Sequence, residues 1–315
     1  MFSANQVASR RSTALRLGLS VAGRIVADNV RTRGFPLTVI RRGIDLGGLF
    51  CSRGTTFERV RDAPVPGLWV RAENAADSRH AIHYLHGGGF VFGSSRSHRA
   101  LASRLSAAAG VPVFLPDYRL APEHPFPAAA EDTTESYLWL LEQGYEAKDV
   151  MVGGDSAGGH LATGLLPELR RRGADLPAGV LLLSPWLDLG LETAGAREAI
   201  RRDPFLSVRF AERARESYAP GADLADPRLA LLDAEPERDW PPFLIQGGDT
   251  EAICGDAEHL AKALAEVGVP CELQAWPGQV HVFHAFHPII PEAAAAATYA
   301  GEFVRRTLAE AATRR

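Results

Sequence analysis

From about residue 55 onward, short apolar runs alternate with stretches whose apolar positions recur three and four residues apart. The runs fall at 57–60, 68–71, 81–85, 111–115, 150–152, 180–183, 243–245 and 271–275. Several are apolar at every position rather than every second one. That is the pattern of strands buried on both faces of a parallel sheet. The helical stretches fall at 98–109, 128–142, 159–172, 256–267 and from 291 to about 312. This alternation of strand and helix predicts one doubly wound α/β domain with a mostly parallel sheet.

Two segments break the alternation. Residues 1–50 read as helical, and residues 187–239 carry two helical patterns among Asp-Pro and Glu-Pro breaks. The second segment interrupts the sheet between two strands, so it is expected over the carboxyl ends of the strands, where such folds bind ligands. The reading is a catalytic domain over 51–315, capped by the N-terminal helices of 1–50 together with the insertion at 187–239.

Composition narrows the classes. In 315 residues, 46% are hydrophobic and 23% charged, which excludes a disordered chain or a fibre. The net charge of −4 supplies no basic field for nucleic acid or an anionic membrane. Lys148 and Lys262 are the only lysines among the basic residues, a bias that reads as genome composition. Cys51, Cys254 and Cys271 match neither a disulfide framework nor a zinc spacing, and no histidine pair has metal-ligand spacing. Neither a metal nor a cofactor is expected. No apolar run approaches the roughly 18 residues of a spanning helix. Arg16 and Arg24 interrupt the apolar stretch 14–27, which reads as an amphipathic helix rather than a signal peptide. A cytoplasmic location is the expectation.

The chemistry begins at Gly154-Asp155-Ser156-Ala157-Gly158, between a strand and a helix. A nucleophilic serine on a strained strand-to-helix turn needs small neighbours, because the flanking chains approach closely. Upstream, straight after the strand at 81–85, stands His86-Gly87-Gly88-Gly89-Phe90. Consecutive glycines leave backbone N–H groups able to converge on an oxyanion. A serine needs a base to take its proton, and in this fold the chain order is serine, acid, histidine. Asp249 stands just past the strand at 243–245, with Glu251 as the alternate acid; Asp256 reads as a helix cap. His281 is the first histidine past the last strand, and His284 and His287 follow in an aromatic stretch suited to packing. His86 is expected to fix the glycine loop, and His160 to be structural.

These residues resemble the hormone-sensitive-lipase-like α/β-hydrolases, often called bacterial family IV esterases. The matching segments are His86–Phe90, Asp117-Tyr-Arg-Leu-Ala-Pro-Glu-His-Pro-Phe-Pro-Ala128, Gly153–Gly159 and Ser184-Pro-Trp-Leu-Asp188, within a likeness spanning about 60–310. The resemblance implies Ser156 as nucleophile, Asp249 as acid and His281 as base, with oxyanion donors at the backbone of Gly88, Gly89 and Ala157. It implies a helical cap, and prolines in 117–127 that are often preceded by cis bonds. Glu123 is expected to hold that loop by an ion pair or hydrogen bond. It also implies soluble small-molecule esters of short to medium acyl length as substrates. The chain departs from the usual pattern twice. Val282 follows the histidine where many members have Gly, and Asp249-Thr-Glu251 stands where many have Asp-Pro-Leu.

Phe90, Phe92, Phe205 and Phe210 are candidate walls of the substrate pocket. A lactonase, an amidase or an aryl-formamide hydrolase would use the same residues, and a non-catalytic binding protein could reuse the scaffold. A homodimer through the strand at 271–275 is a further expectation.

Overall fold

A computed structural model describes residues 7–20, 32, 35–76, 78–287 and 289–313. All eight expected strands form, in one sheet: β1 (Thr56–Val60), β2 (Gly67–Arg71), β3 (Ala81–Leu85), β4 (Val113–Pro116), β5 (Val150–Asp155), β6 (Gly179–Leu183), β7 (Phe243–Gly248) and β8 (Cys271–Trp276). Their order is β1-β2-β4-β3-β5-β6-β7-β8. β1 pairs with β2, and β2 with β4, in antiparallel fashion; every other pairing is parallel.

The continuous apolar runs have the cause their pattern suggested. Along β5 and β6, Met151, Leu181 and Leu183 face one side while Val150, Val152, Val180 and Leu182 face the other. The first side packs on α3 (Ser95–Ala109) and α9 (Pro291–Thr313) through Leu101, Leu105, Phe303 and Val304. The second packs on α4 (Ala128–Glu142), α5 (Ala157–Arg172) and α8 (Cys254–Val267) through Tyr137, Leu161, Leu165 and Leu260. Burying a leucine-sized side chain fully is worth about 1.5–3 kcal/mol, so this two-sided enclosure carries much of the fold.

The described residues of the two segments outside the alternation carry helices. α1 (Arg10–Gly18) and α2 (Phe35–Asp45) precede the sheet, and residues 21–27 of the expected first helix lie outside the described residues. α6 (Glu192–Ile200) and α7 (Val208–Tyr218) interrupt the sheet between β6 and β7. Ser217 of α7 donates to Thr32 at 2.9 Å, so insertion and N-terminal segment touch. Glu123 pairs with Arg41 of α2 at 2.9 Å, as expected of a loop anchor. The peptide bonds before Pro122 and Pro127 are cis. Among the described residues no helix is long and apolar enough to cross a membrane.

Candidate active site

Ser156 sits between β5 and α5 with φ +52° and ψ −121°, a conformation that costs on the order of 1–3 kcal/mol and persists only where the surroundings enforce it. Steric exclusion enforces it here. A Cβ on Gly158 would collide with the Leu85 carbonyl oxygen, and one on Gly154 with that of Gly158. The elbow therefore packs against the end of β3, where the glycine loop begins.

That loop is bound on every side. Gly88 adopts φ +123°, and a Cβ there would strike the Phe92 carbonyl, so the position admits only glycine. The Phe92 N–H closes the loop on the Gly88 carbonyl at 2.9 Å. His86 Nδ1 bonds the Gly87 carbonyl at 2.9 Å, and its ring stacks on Tyr118 at 4.2 Å, which agrees with its expected role. Gly87 leaves no room for a side chain because the Asp155 carboxylate lies against it. Asp155 accepts from Tyr84 at 3.0 Å and faces His98 at 3.3 Å. Burial works against its charge, but His98, Tyr84 and His86 outweigh it and hold the carboxyl below its ordinary range.

His281 and Glu251 come from the loops after β8 and β7. His281 Nε2 lies 2.9 Å from Ser156 Oγ, and Nδ1 lies 2.8 Å from Glu251 Oε2. A carboxylate can only accept, so Nδ1 carries the proton and Nε2 is left to accept from the serine hydroxyl. All three side chains are nearly enclosed, at 7%, 5% and 2% exposure for Ser156, His281 and Glu251. Burial alone would depress the His281 pKa. The hydrogen bond and charge of Glu251, followed by the charges of Asp203 and Asp155, outweigh it and hold the pKa above its ordinary value.

The expected acid, Asp249, is not the residue that meets the histidine. Its carboxylate turns away and accepts the Gly278 N–H at 2.7 Å near the surface. The reason is the turn after β7, closed by the Glu251 N–H on the Gly248 carbonyl at 3.3 Å. Asp249 occupies the outer arc of that turn, and Glu251 comes back over the sheet edge with a side chain long enough to reach His281. The departure Asp249-Thr-Glu251 was the signal available in the sequence.

Ser184, within the quoted Ser184–Asp188 segment but given no role there, proves central. Directly after β6, with φ +47°, it donates to Glu251 Oε1 at 2.7 Å and accepts the Val282 N–H at 3.1 Å. Gly248 also donates its N–H to Glu251. Asp256 stands in the first turn of α8, as expected of a helix N-terminal residue, but its carboxylate does not cap that helix. From within α8 its carboxylate accepts the N–H groups of Leu187 and Asp188 at 2.8 and 2.9 Å, anchoring the start of the insertion. His160 bonds the Arg228 carbonyl at 3.2 Å and is structural, as expected.

The four aromatic candidates divide. Phe90 is not at a pocket wall: φ +62° turns its ring into the core, stacked on Tyr218 at 3.8 Å and edge-on to His160. Phe210 and Ala214 of α7 stand against Gly89. Phe92 stacks with Phe210 at 6.0 Å. Phe205 meets Phe286 edge-on and borders the buried cluster of Trp276, Val280 and Phe283. His284 is buried and hydrogen-bonds Gln246 at 3.1 Å, a packing role like the one expected.

Comparison with known proteins agrees with this architecture. The alpha/beta hydrolase fold family matches residues 82–285. An acetyl-hydrolase of Streptomyces hygroscopicus is 40% identical over 246 residues, covering 77% of this chain and 80% of that protein. An ethyl acetate hydrolase of Pseudomonas putida is 34% identical over 222 residues, covering 68% of this chain and 69% of its own length. The crystal structure of an esterase from the bacterial hormone-sensitive lipase family superposes with a TM-score of 0.86 at 34% identity, covering 96% of this chain and all of that one. With the elbow, the glycine loop and the sheet order in place, the chain belongs to the α/β-hydrolase fold family, among its hormone-sensitive-lipase-like members.

Proposed function

We propose that the protein hydrolyses carboxylic esters of short acyl chain through an acyl-enzyme on Ser156. The observation that carries this reading is the unbroken hydrogen-bond chain from Ser156 through His281 to Glu251 beside a glycine loop. Ser156 Oγ attacks the ester carbonyl while His281 Nε2 takes its proton. Glu251 holds the imidazole in the reactive tautomer and stabilises its cation. The oxyanion is bound by the N–H groups of Gly88, Gly89 and Ala157. Ala157 opens α5, where the N–H has no partner within the helix and the dipole favours negative charge. Removing one such donor typically lowers turnover by about 10²–10³. His281 then protonates the departing alkoxide. A water, giving its proton to His281, attacks the acyl carbonyl; the acid leaves and Ser156 recovers its proton. Every proton moves between Ser156, His281, water and the leaving group, so the cycle asks for no cofactor.

We read α1, α2 and the insertion as a cap. Two observations support this: the contact of α7 with the glycine loop and the Ser217–Thr32 bond. The aromatic pair Phe92–Phe210 beside Gly89 favours small acyl groups, in line with the acetyl-hydrolase and ethyl acetate hydrolase among the relatives. A p-nitrophenyl ester series from acetyl to palmitoyl tests the reading with wild type and Ser156→Ala. Turnover is expected on the short chains and absent in the variant, with a residual no larger than the ~10³–10⁴ over water that a site lacking its triad retains. Activity surviving at the wild-type level in Ser156→Ala would sink the assignment.

A further inference from the structure

Asp203 lies between α6 and α7 and is only 1% exposed. One of its carboxylate oxygens accepts the N–H groups of Phe205 and Leu206 at 2.7 and 2.8 Å. The other accepts the N–H of Ala252 at 2.8 Å, in the loop that carries the acid. A buried carboxylate is tolerated only where several donors meet it, and here three backbone N–H groups from two separate segments converge.

The position of Ala252 gives this contact its consequence. Ala252 directly follows Glu251, and on the other side Thr250 donates its hydroxyl to the Gln279 carbonyl in the loop of His281. Glu251 is thus tied on one flank to the base loop and on the other to the insertion. Phe205, two residues past Asp203, packs edge-on against Phe286, which ties the same turn to the far side of the base loop.

Resting on the triad assignment above, we propose that Asp203 is a positioning residue: it fastens the insertion to the acid loop, so that Glu251 is aligned on His281 only while the insertion is seated. Its charge also acts on the base. The ionisable groups facing His281 are the acids Glu251, Asp203 and Asp155, together with His284, which burial keeps neutral with a pKa of about 3. Removing one of three anions lowers the His281 pKa, so the base stays unprotonated to lower pH.

The test is steady-state kinetics on p-nitrophenyl acetate, with pH profiles, for Asp203→Ala and Asp203→Asn beside Ser207→Ala, Glu251→Gln and Ser156→Ala. Both Asp203 variants are expected to lose about tenfold or more in kcat with KM changed less than about threefold, as for loss of alignment rather than of binding. The acid limb of kcat/KM should move to lower pH in both. Asp203→Asn keeps the shape but cannot accept all three N–H groups, so it carries the test should the alanine variant fail to fold. Ser207 caps α7 by accepting the Phe210 N–H at 3.1 Å; Ser207→Ala loosens the insertion without touching Ala252. It should leave kcat within about twofold. Unchanged kcat and acid limb in both Asp203 variants, or an equal loss in Ser207→Ala, overturns the proposal. Activity retained in Ser156→Ala instead removes the triad assignment on which it stands.

Discussion

The two halves of the site are held by different means. On the nucleophile side, Ser156 and the glycine loop are shaped by backbone against backbone: Gly154, Gly158 and Gly88 have no space for a side chain, and positive φ angles are locked by β3 and β5. On the acid–base side, Glu251 and His281 stand on loops held by side chains from distant places. Ser184 comes from the end of β6, Asp203 from the insertion, and Ser12 of α1 donates to Gln279 at 3.2 Å. The difference teaches where the site can be perturbed gradually. A glycine elbow is formed or lost, whereas a loop tied by separate bonds can lose one and keep the rest.

The strongest way to break this contrast is to neutralise each of the two acids in turn. Glu251→Gln should lower kcat by about 10³–10⁴, the scale seen when a triad acid no longer sets the tautomer, while Asp249→Asn stays within about threefold. The pH profile sharpens the same point. Glu251 holds the His281 pKa above its ordinary value, so wild-type kcat/KM should fall on the acid side from somewhat above about pH 6.5. In Glu251→Gln that limb should move down. The reverse ranking of the two variants would return the acid to Asp249.

A smaller effect is expected at Ser184. Ser184→Ala leaves one oxygen of Glu251 and the Val282 N–H without this partner, a loss of about 1–3 kcal/mol in stability, read as a lower Tm. Gly248 still donates to Glu251, so turnover should fall less than in Glu251→Gln. A loss equal to that of Glu251→Gln would mean that the acid side is as indivisible as the elbow.

The smallest effect concerns the anchor of the insertion. Burial, only partly offset by the Leu187 and Asp188 N–H groups, pushes the Asp256 carboxyl up to about 7. The folded chain therefore holds this proton more tightly than the unfolded one. The stability this contributes is complete below about pH 4 and is lost as pH rises towards about 7. In Asp256→Asn nothing titrates there, so the fall in Tm between about pH 5 and about pH 8 should shrink. An unchanged fall would show that other groups carry it.

Legibility in the sequence followed the same division. Helix α4 begins and ends where its pattern placed it, because the 3.6-residue period is a local property of a stripe facing the sheet. β4 is shorter than its run, starting at Val113 rather than 111. Ser156, Gly88 and Gly89 were visible because a strained elbow and a close backbone approach demand glycine within a few residues. Glu251 was harder to choose. Two carboxylates two residues apart differ only in which one the turn after β7 sends back over the sheet. The core position of Phe90 is illegible for a similar reason, since a positive φ at a bulky residue has no signature in composition.

The amino-acid order alone determined the eight strands, the elbow, the glycine loop and the place of His281 just past the last strand, because each depends on periodicity or on steric exclusion among near neighbours. Tertiary structure decided which acid meets His281, which aromatic ring is core and which stands beside the loop, and that Ser184 and Asp203 hold the acid loop. Those outcomes depend on distances between segments tens to hundreds of residues apart. Such distances are set by how the loops after β6, β7 and β8 and the insertion close on one another, and no local pattern encodes them.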